Sequence, residues 1–111
     1  MLMSDFSVDY REHIGFNPEK MYKSTIFNGN HLMLGLNCLE PGQEHHLHTH
    51  SDQDKFYFVL EGEGEFTVAD QNFIAGKGKL IWAAAGVPHA VKNRGEERLV
   101  ILMGMAPGPN K

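Results

Sequence analysis

The sequence predicts an all-β protein, an antiparallel sandwich or barrel. Short β-prone runs recur about eight to ten times along the chain. Turn signals of Gly, Pro, Asn and Asp separate these runs roughly every 6–12 residues. No segment carries the 3.6-residue apolar period of an amphipathic helix.

The N-terminal residues 1–22 show no clear period, and Pro18 argues against a long helix there. Met1, Leu2 and Met3 are candidates for an edge strand or for a contact with a second subunit. The β domain is expected over residues 23–107. Residues 23–27 read as a short strand, and Asn28-Gly29-Asn30 as a hairpin turn. The next strand, residues 31–39, has Leu32, Leu34, Leu36 and Cys38 on one face, which is the expected core face. Pro41-Gly42 ends it, because proline has no N–H to donate to a ladder. A histidine-rich strand and the polar turn 51–54 follow, then a strongly β-prone run at 55–61. Gly62 and Gly64, flanking Glu63, suit a tight turn or a bulge. Further strands are expected at 66–69, 73–74, 80–83, 89–93 and 98–103, with His89, Val91 and Asn93 sharing one face. Ala106-Pro107-Gly108-Pro109 reads as a disordered tail, with residues 108–111 outside the domain.

Composition narrows the function. A chain of 111 residues supports one core. The formal net charge is −4 and no Lys/Arg run occurs, which argues against nucleic acid as a partner. No apolar run is long enough to span a bilayer as a helix. The start of the chain has neither the basic nor the apolar region of a signal peptide. A single cysteine, Cys38, fits a reducing cytoplasm and is expected to be a small buried hydrophobe.

Chemistry concentrates between Pro41 and Gly62, where His45, His46, His48 and His50 fall within six residues. Strand alternation puts His46, His48 and His50 on one face. Imidazoles turned inward need partners, and a divalent transition metal satisfies several neutral ones at once. The competing possibility is that they hydrogen-bond inside a metal-free pocket. No nucleophile and base stand together in the sequence, so no catalytic side chain is assigned.

The spacing of these residues resembles that of the cupins, small double-sheet jelly rolls also described as double-stranded β-helices. The family's first motif is matched by Gly42, His48, His50 and Gly62. Its second is matched by Gly78, Gly86, His89 and Asn93, and the two lie 15 residues apart. Two positions depart: Lys55 stands where many cupins place a metal-binding Glu, and Ala84 where the second motif has Pro. The resemblance implies a cupin barrel and one divalent metal, with Fe, Mn, Zn, Ni and Cu all open. It implies His48, His50 and His89 as ligands, with the fourth position going to Gln53, Asp54 or water. It also implies a small-molecule ligand or substrate and a homodimer. The functional expectation is a metal-dependent, dioxygenase-like enzyme acting on a small anionic or dicarbonyl compound. The alternative is a non-enzymatic module that binds a small ligand or a metal.

The remaining candidates surround that site. His46 is expected as a fourth imidazole, a pocket residue or a surface residue. His45 is expected to face solvent, and His13 and His31 to be ordinary surface or supporting residues. Lys55 either turns inward, bringing positive charge or binding an anionic substrate, or turns outward to pair with Asp54 or Glu61. The outward arrangement is the expected one. Tyr57, Phe58 and Trp82 are expected in the core and pocket wall, Asn93 in a backbone-bonding turn, and Glu61, Glu63 and Glu65 on a solvated face.

Overall fold

The computed structural model describes residues 6–108. The expected strand at Met1–Met3 and the tail residues 109–111 lie outside this range. A short 3-10 turn, Tyr10–His13, is capped by the Asp9 carboxylate, which accepts the Arg11 N–H. Nine strands follow: β1 (Tyr22–Asn28), β2 (Met33–Leu39), β3 (Glu44–His48), β4 (Asp54–Glu61), β5 (Glu63–Val68), β6 (Gln71–Gly76), β7 (Leu80–Ala83), β8 (His89–Lys92) and β9 (Leu99–Ala106). They form a five-stranded sheet ordered β1-β2-β9-β4-β7 and a four-stranded sheet ordered β3-β8-β5-β6. Every pairing is antiparallel, so the protein is a jelly roll of two facing sheets. No helix among the described residues is long and apolar enough to cross a membrane.

The interior is divided between an apolar part and a polar part. Leu39, Tyr57, Val59, Phe66, Ile81, Val91, Leu99 and Ile101 form a continuous core between the sheets. Alternation along β4 places Lys55, Tyr57 and Val59 inward and Phe56 and Phe58 on the other face. Alternation along β8 places His89 and Val91 inward, and Asn93 beyond the strand is also fully buried. Asn93 stitches this region of the barrel through backbone partners. Its amide donates to the carbonyls of Leu39 and Glu97, and its side-chain oxygen accepts the Gly95 N–H.

Strand β2 corrects the expected core face. Leu36 and Cys38 are buried, but with Val100 they form a second cluster, packed by Tyr10, Ile14, Tyr22, Ile26, Leu60 and Leu102. Leu39 belongs to the main core, Met33 packs against it, and Gly35 and Asn37 line the cavity described below. The strand is buried on both faces because the N-terminal segment covers the outer side of its sheet. Tyr10 also donates to the Glu61 carboxylate, at 3.1 Å, and Arg98 pairs with the same group. Glu61 is therefore a tether and not only a solvated charge. At the other end, Ala106 is still in β9, and the Pro107 carbonyl accepts from the Gln53 amide at 3.0 Å. Residues 106–108 are thus part of the ordered barrel.

Gly62 carries the chain from β4 in one sheet to β5 in the other. Its φ is +77°, and a Cβ there would collide with the Arg98 carbonyl oxygen. Gly62→Ala is expected to cost about 2–4 kcal/mol, since left-handed strain and a backbone clash combine. Urea denaturation of the variant checks this.

Candidate metal centre and cavity

The histidine strand does not alternate regularly. β3 pairs with β8 through His45↔Val91 and His48↔His89, so three steps on β3 face two on β8. This is a bulge, and it reverses the parity of the strand. His45 and His48 consequently turn the same way, with ring centroids 4.1 Å apart. His46, which regular alternation puts on the inner face, takes the surface position among its three expected places, with its side chain 85% exposed and near Glu44. His45, expected in solvent, lines the cavity with a buried Nδ1 that has no hydrogen-bond partner. Both placements correct the alternation reading, which lacked the bulge.

His48, His50 and His89 come together from β3, the loop after it and β8. Each offers a ring nitrogen within 4.8 Å of the others. Two features hold the cluster in place. The Gly86 N–H donates to the His50 carbonyl at 2.8 Å, linking the loop after β3 to the loop that leads into β8 and His89. In addition, His48 Nδ1 lies 2.7 Å from the His46 carbonyl and His89 Nδ1 lies 3.0 Å from the Val87 carbonyl. A carbonyl can only accept, so each Nδ1 carries the proton and donates it. That leaves the Nε2 lone pairs of His48 and His89 buried, unpartnered and aimed at the cluster. Burial pulls His89 down to about 4 and His45 down to about 3, and it lowers His48 and His50 as well. All four rings are therefore neutral at pH 7. Preset tautomers and orphaned lone pairs at His48 and His89, with neutral rings at all three, are what a divalent metal requires, and the trio fits one.

His48 and His50 of the trio line a cavity of about 280 Å³ between the sheets. Met33, Met103 and Met105 supply an apolar wall, Asn37 and Gln53 polar groups, and Lys23 and Thr25 line it from the exposed positions of β1. Lys55 lies inside and is only 3% exposed, which corrects the expected outward arrangement. Its Nζ sits 5.0 Å from the centroid of the Tyr57 ring. Burial, helped by the charge of Lys23, pushes it down to about 8. It is still an ammonium at pH 7.

The other candidates separate clearly. Asp54 points away from the cavity, and its carboxylate accepts the Ala85 N–H at 2.9 Å. Gln53 lines the cavity with its amide nitrogen already committed to Pro107. Tyr57 is fully buried beneath the trio, its ring 6.0 Å from that of His89 and its hydroxyl unpartnered. Trp82 does not line this cavity: it is 60% exposed on the outer face of edge strand β7. Odd positions on β4 face inward and even positions on β7 face outward, which separates Tyr57 from Trp82. His31 is exposed and His13 half-buried in the 3-10 turn, both away from the cavity lining.

Known proteins resemble the chain in sequence and in fold. An uncharacterized protein of Methanocaldococcus jannaschii is 31% identical over 77 residues, covering 69% of this chain. The chain matches 62% of the length of that relative. A solved structure from Thermus thermophilus is 34% identical and superposes with a TM-score of 0.90, covering 93% of this chain and 98% of that one. A protein with a double-stranded β-helix domain from Klebsiella pneumoniae is 21% identical with a TM-score of 0.88, covering 96% of this chain and 93% of that one, and so is similar in fold. The family model described as Cupin domain matches residues 35–105, the stretch that holds His48, His50 and His89. By that match, and by the two facing sheets around a histidine cluster, the chain belongs to the cupin family.

Proposed function

We propose that the protein is a metal-dependent cupin enzyme of the dioxygenase type, acting on a small organic molecule in the cavity. The observation that carries this reading is the convergence of His48, His50 and His89 beside an open cavity that His48 and His50 line, with the Nε2 lone pairs of His48 and His89 unpartnered among the described residues. Three imidazoles would hold one divalent transition metal and leave positions free for other ligands. Such a metal supplies Lewis-acid or oxygen chemistry to a chelating substrate. The chain's own residues orient and enclose that substrate: the three methionines form a dry wall, and Asn37 and Gln53 offer polar contacts. Among the residues lining the cavity, His45, Lys55 and Lys23 are the titratable groups outside the trio.

Protein loaded with Fe(II), Mn(II) or Cu(II) is expected to consume oxygen when given small chelating acids or diketones, in step with substrate loss. An oxygen electrode with product analysis checks this, and metal-free protein should be inert. A second reading, a non-enzymatic binding module, is favoured by the absence of any carboxylate among the described residues of the cavity lining, which leaves only imidazoles and lysines for acid–base work. Unchanged substrate recovered bound to loaded protein, with no oxygen uptake for any of the three metals, would select that reading.

A further inference from the structure

We propose that the cavity is built for an organic anion, with Lys55 and then Lys23 taking the carboxylate of a small acid. This rests on the proposed reading only in placing the ligand in the same cavity; binding of the acid does not require the metal.

Charge carries the inference. The chain has 14 acidic and 10 basic residues, yet the cavity lining contains two lysines, three histidines and no Asp or Glu. Lys55 is buried at 3% exposure, and no ion pair to it forms among the described residues. The Tyr57 ring, 5.0 Å from Nζ, offers only a modest cation–π contact. A buried ammonium is ordinarily paired with an anion, because loss of its hydration is otherwise uncompensated. The described residues supply no such partner, so the partner is the ligand. Lys23, on an exposed position of β1, faces the same cavity and adds a second positive charge where a ligand enters.

The rest of the lining defines the class of anion. Met105, opposite Lys55 on the neighbouring strand, with Met33 and Met103 in the same lining, suits a carbon skeleton, not a bare inorganic ion. Arginine, the usual fork for phosphate, is absent from the lining. A volume of about 280 Å³ lies at the low end for small-molecule sites and limits the ligand to a small acid. The neutral trio brings no negative charge of its own, so a substrate carboxylate would also be the negative group that a trio-bound cation lacks.

Metal-free, full-length protein titrated by calorimetry at pH 7 and low salt tests this, with malonate, inorganic phosphate and neutral malonamide as probes. Malonate is expected to bind with one-to-one stoichiometry, phosphate at least about ten-fold more weakly, and malonamide not detectably. Lys55→Met should weaken malonate binding by at least about 30-fold. Lys23→Met, at an exposed position that the fold does not depend on, should weaken it about three- to five-fold, an effect that shrinks in about 0.3 M salt. Equal binding of malonate and malonamide, phosphate preferred over malonate, unchanged affinity in Lys55→Met, or no binding of malonate by the wild type would each overturn the proposal. Metal uptake measured on the same preparations separates the two readings. Malonate binding without metal uptake removes the metalloenzyme alone, and metal uptake without malonate binding removes the anion site alone.

Discussion

Replacing His48 and His89 together by alanine is expected to abolish metal uptake while leaving the jelly roll folded. Wild-type protein, purified without a histidine tag, should hold about one equivalent of transition metal or take it up on titration. The variant should bind at least about 100-fold more weakly, since changes one shell further out already cost 10–100-fold. The fold should survive because the two Nε2 atoms have no protein partner to lose. What is removed from the structure is one Nδ1–H bond to the His46 carbonyl and one to the Val87 carbonyl. Elemental analysis and a chelator competition read the affinity, and circular dichroism reads the fold. Equal metal content in both proteins would take the trio out of the site.

Replacing Lys55 by methionine is expected to stabilise the metal-free protein at pH 7 by roughly 2–3 kcal/mol. Lysine ordinarily titrates at 10.5, and burial pushes Lys55 down to about 8. At about 1.4 kcal/mol per pKa unit, that gap sets an upper bound of about 3 kcal/mol on the cost of keeping the charge inside. Methionine has similar volume and no charge, and swaps of this kind in buried sites often gain 1–4 kcal/mol, as a rough range. The pH dependence follows from the depressed value. Below about pH 8 both folded and unfolded chains carry the proton, and the wild type bears the full cost. Between about 8 and 10.5 the unfolded chain binds more protons, so wild-type stability rises relative to the variant and the difference closes. Urea titrations of both proteins at pH 7 and near pH 10 measure this. A wild type as stable as the variant at pH 7 would mean that Lys55 is not held as a buried cation. Stability given up at one residue, facing a cavity, is the pattern expected of a group retained for binding.

These expectations differ in how far they were legible in the linear chain. The strands were legible because their period is local. Leu80–Ala83 was read with its observed limits, and the Asn28-Gly29-Asn30 turn marked the β1–β2 hairpin. The motif spacing also placed His48, His50 and His89, which the fold brings within 4.8 Å, since that spacing spans two strands that pair. His45 and Lys55 were misassigned for different reasons. Inverting His46 and His45 required one extra residue in β3, and a bulge is set by the pairing with β8, not by anything in EHHLH itself. Lys55 obeys simple alternation, in line with Tyr57 and Val59, but a lysine's usual preference for solvent argued the other way.

By itself the sequence determined the class of fold, the approximate number of strands and their places along the chain, and which histidines could meet. Alternation, turn residues and motif spacing are short-range properties that survive without knowledge of neighbours. The tertiary structure alone decided which side of each strand is inside. It covered Leu36 and Cys38 with Tyr10 and Ile14, turned Trp82 to the surface, and enclosed a lysine that has no counter-ion among the described residues, in the cavity that the histidines border. The physical reason is that inside and outside depend on inter-strand register and on which segment covers a sheet, and these are settled by contacts far apart in the chain.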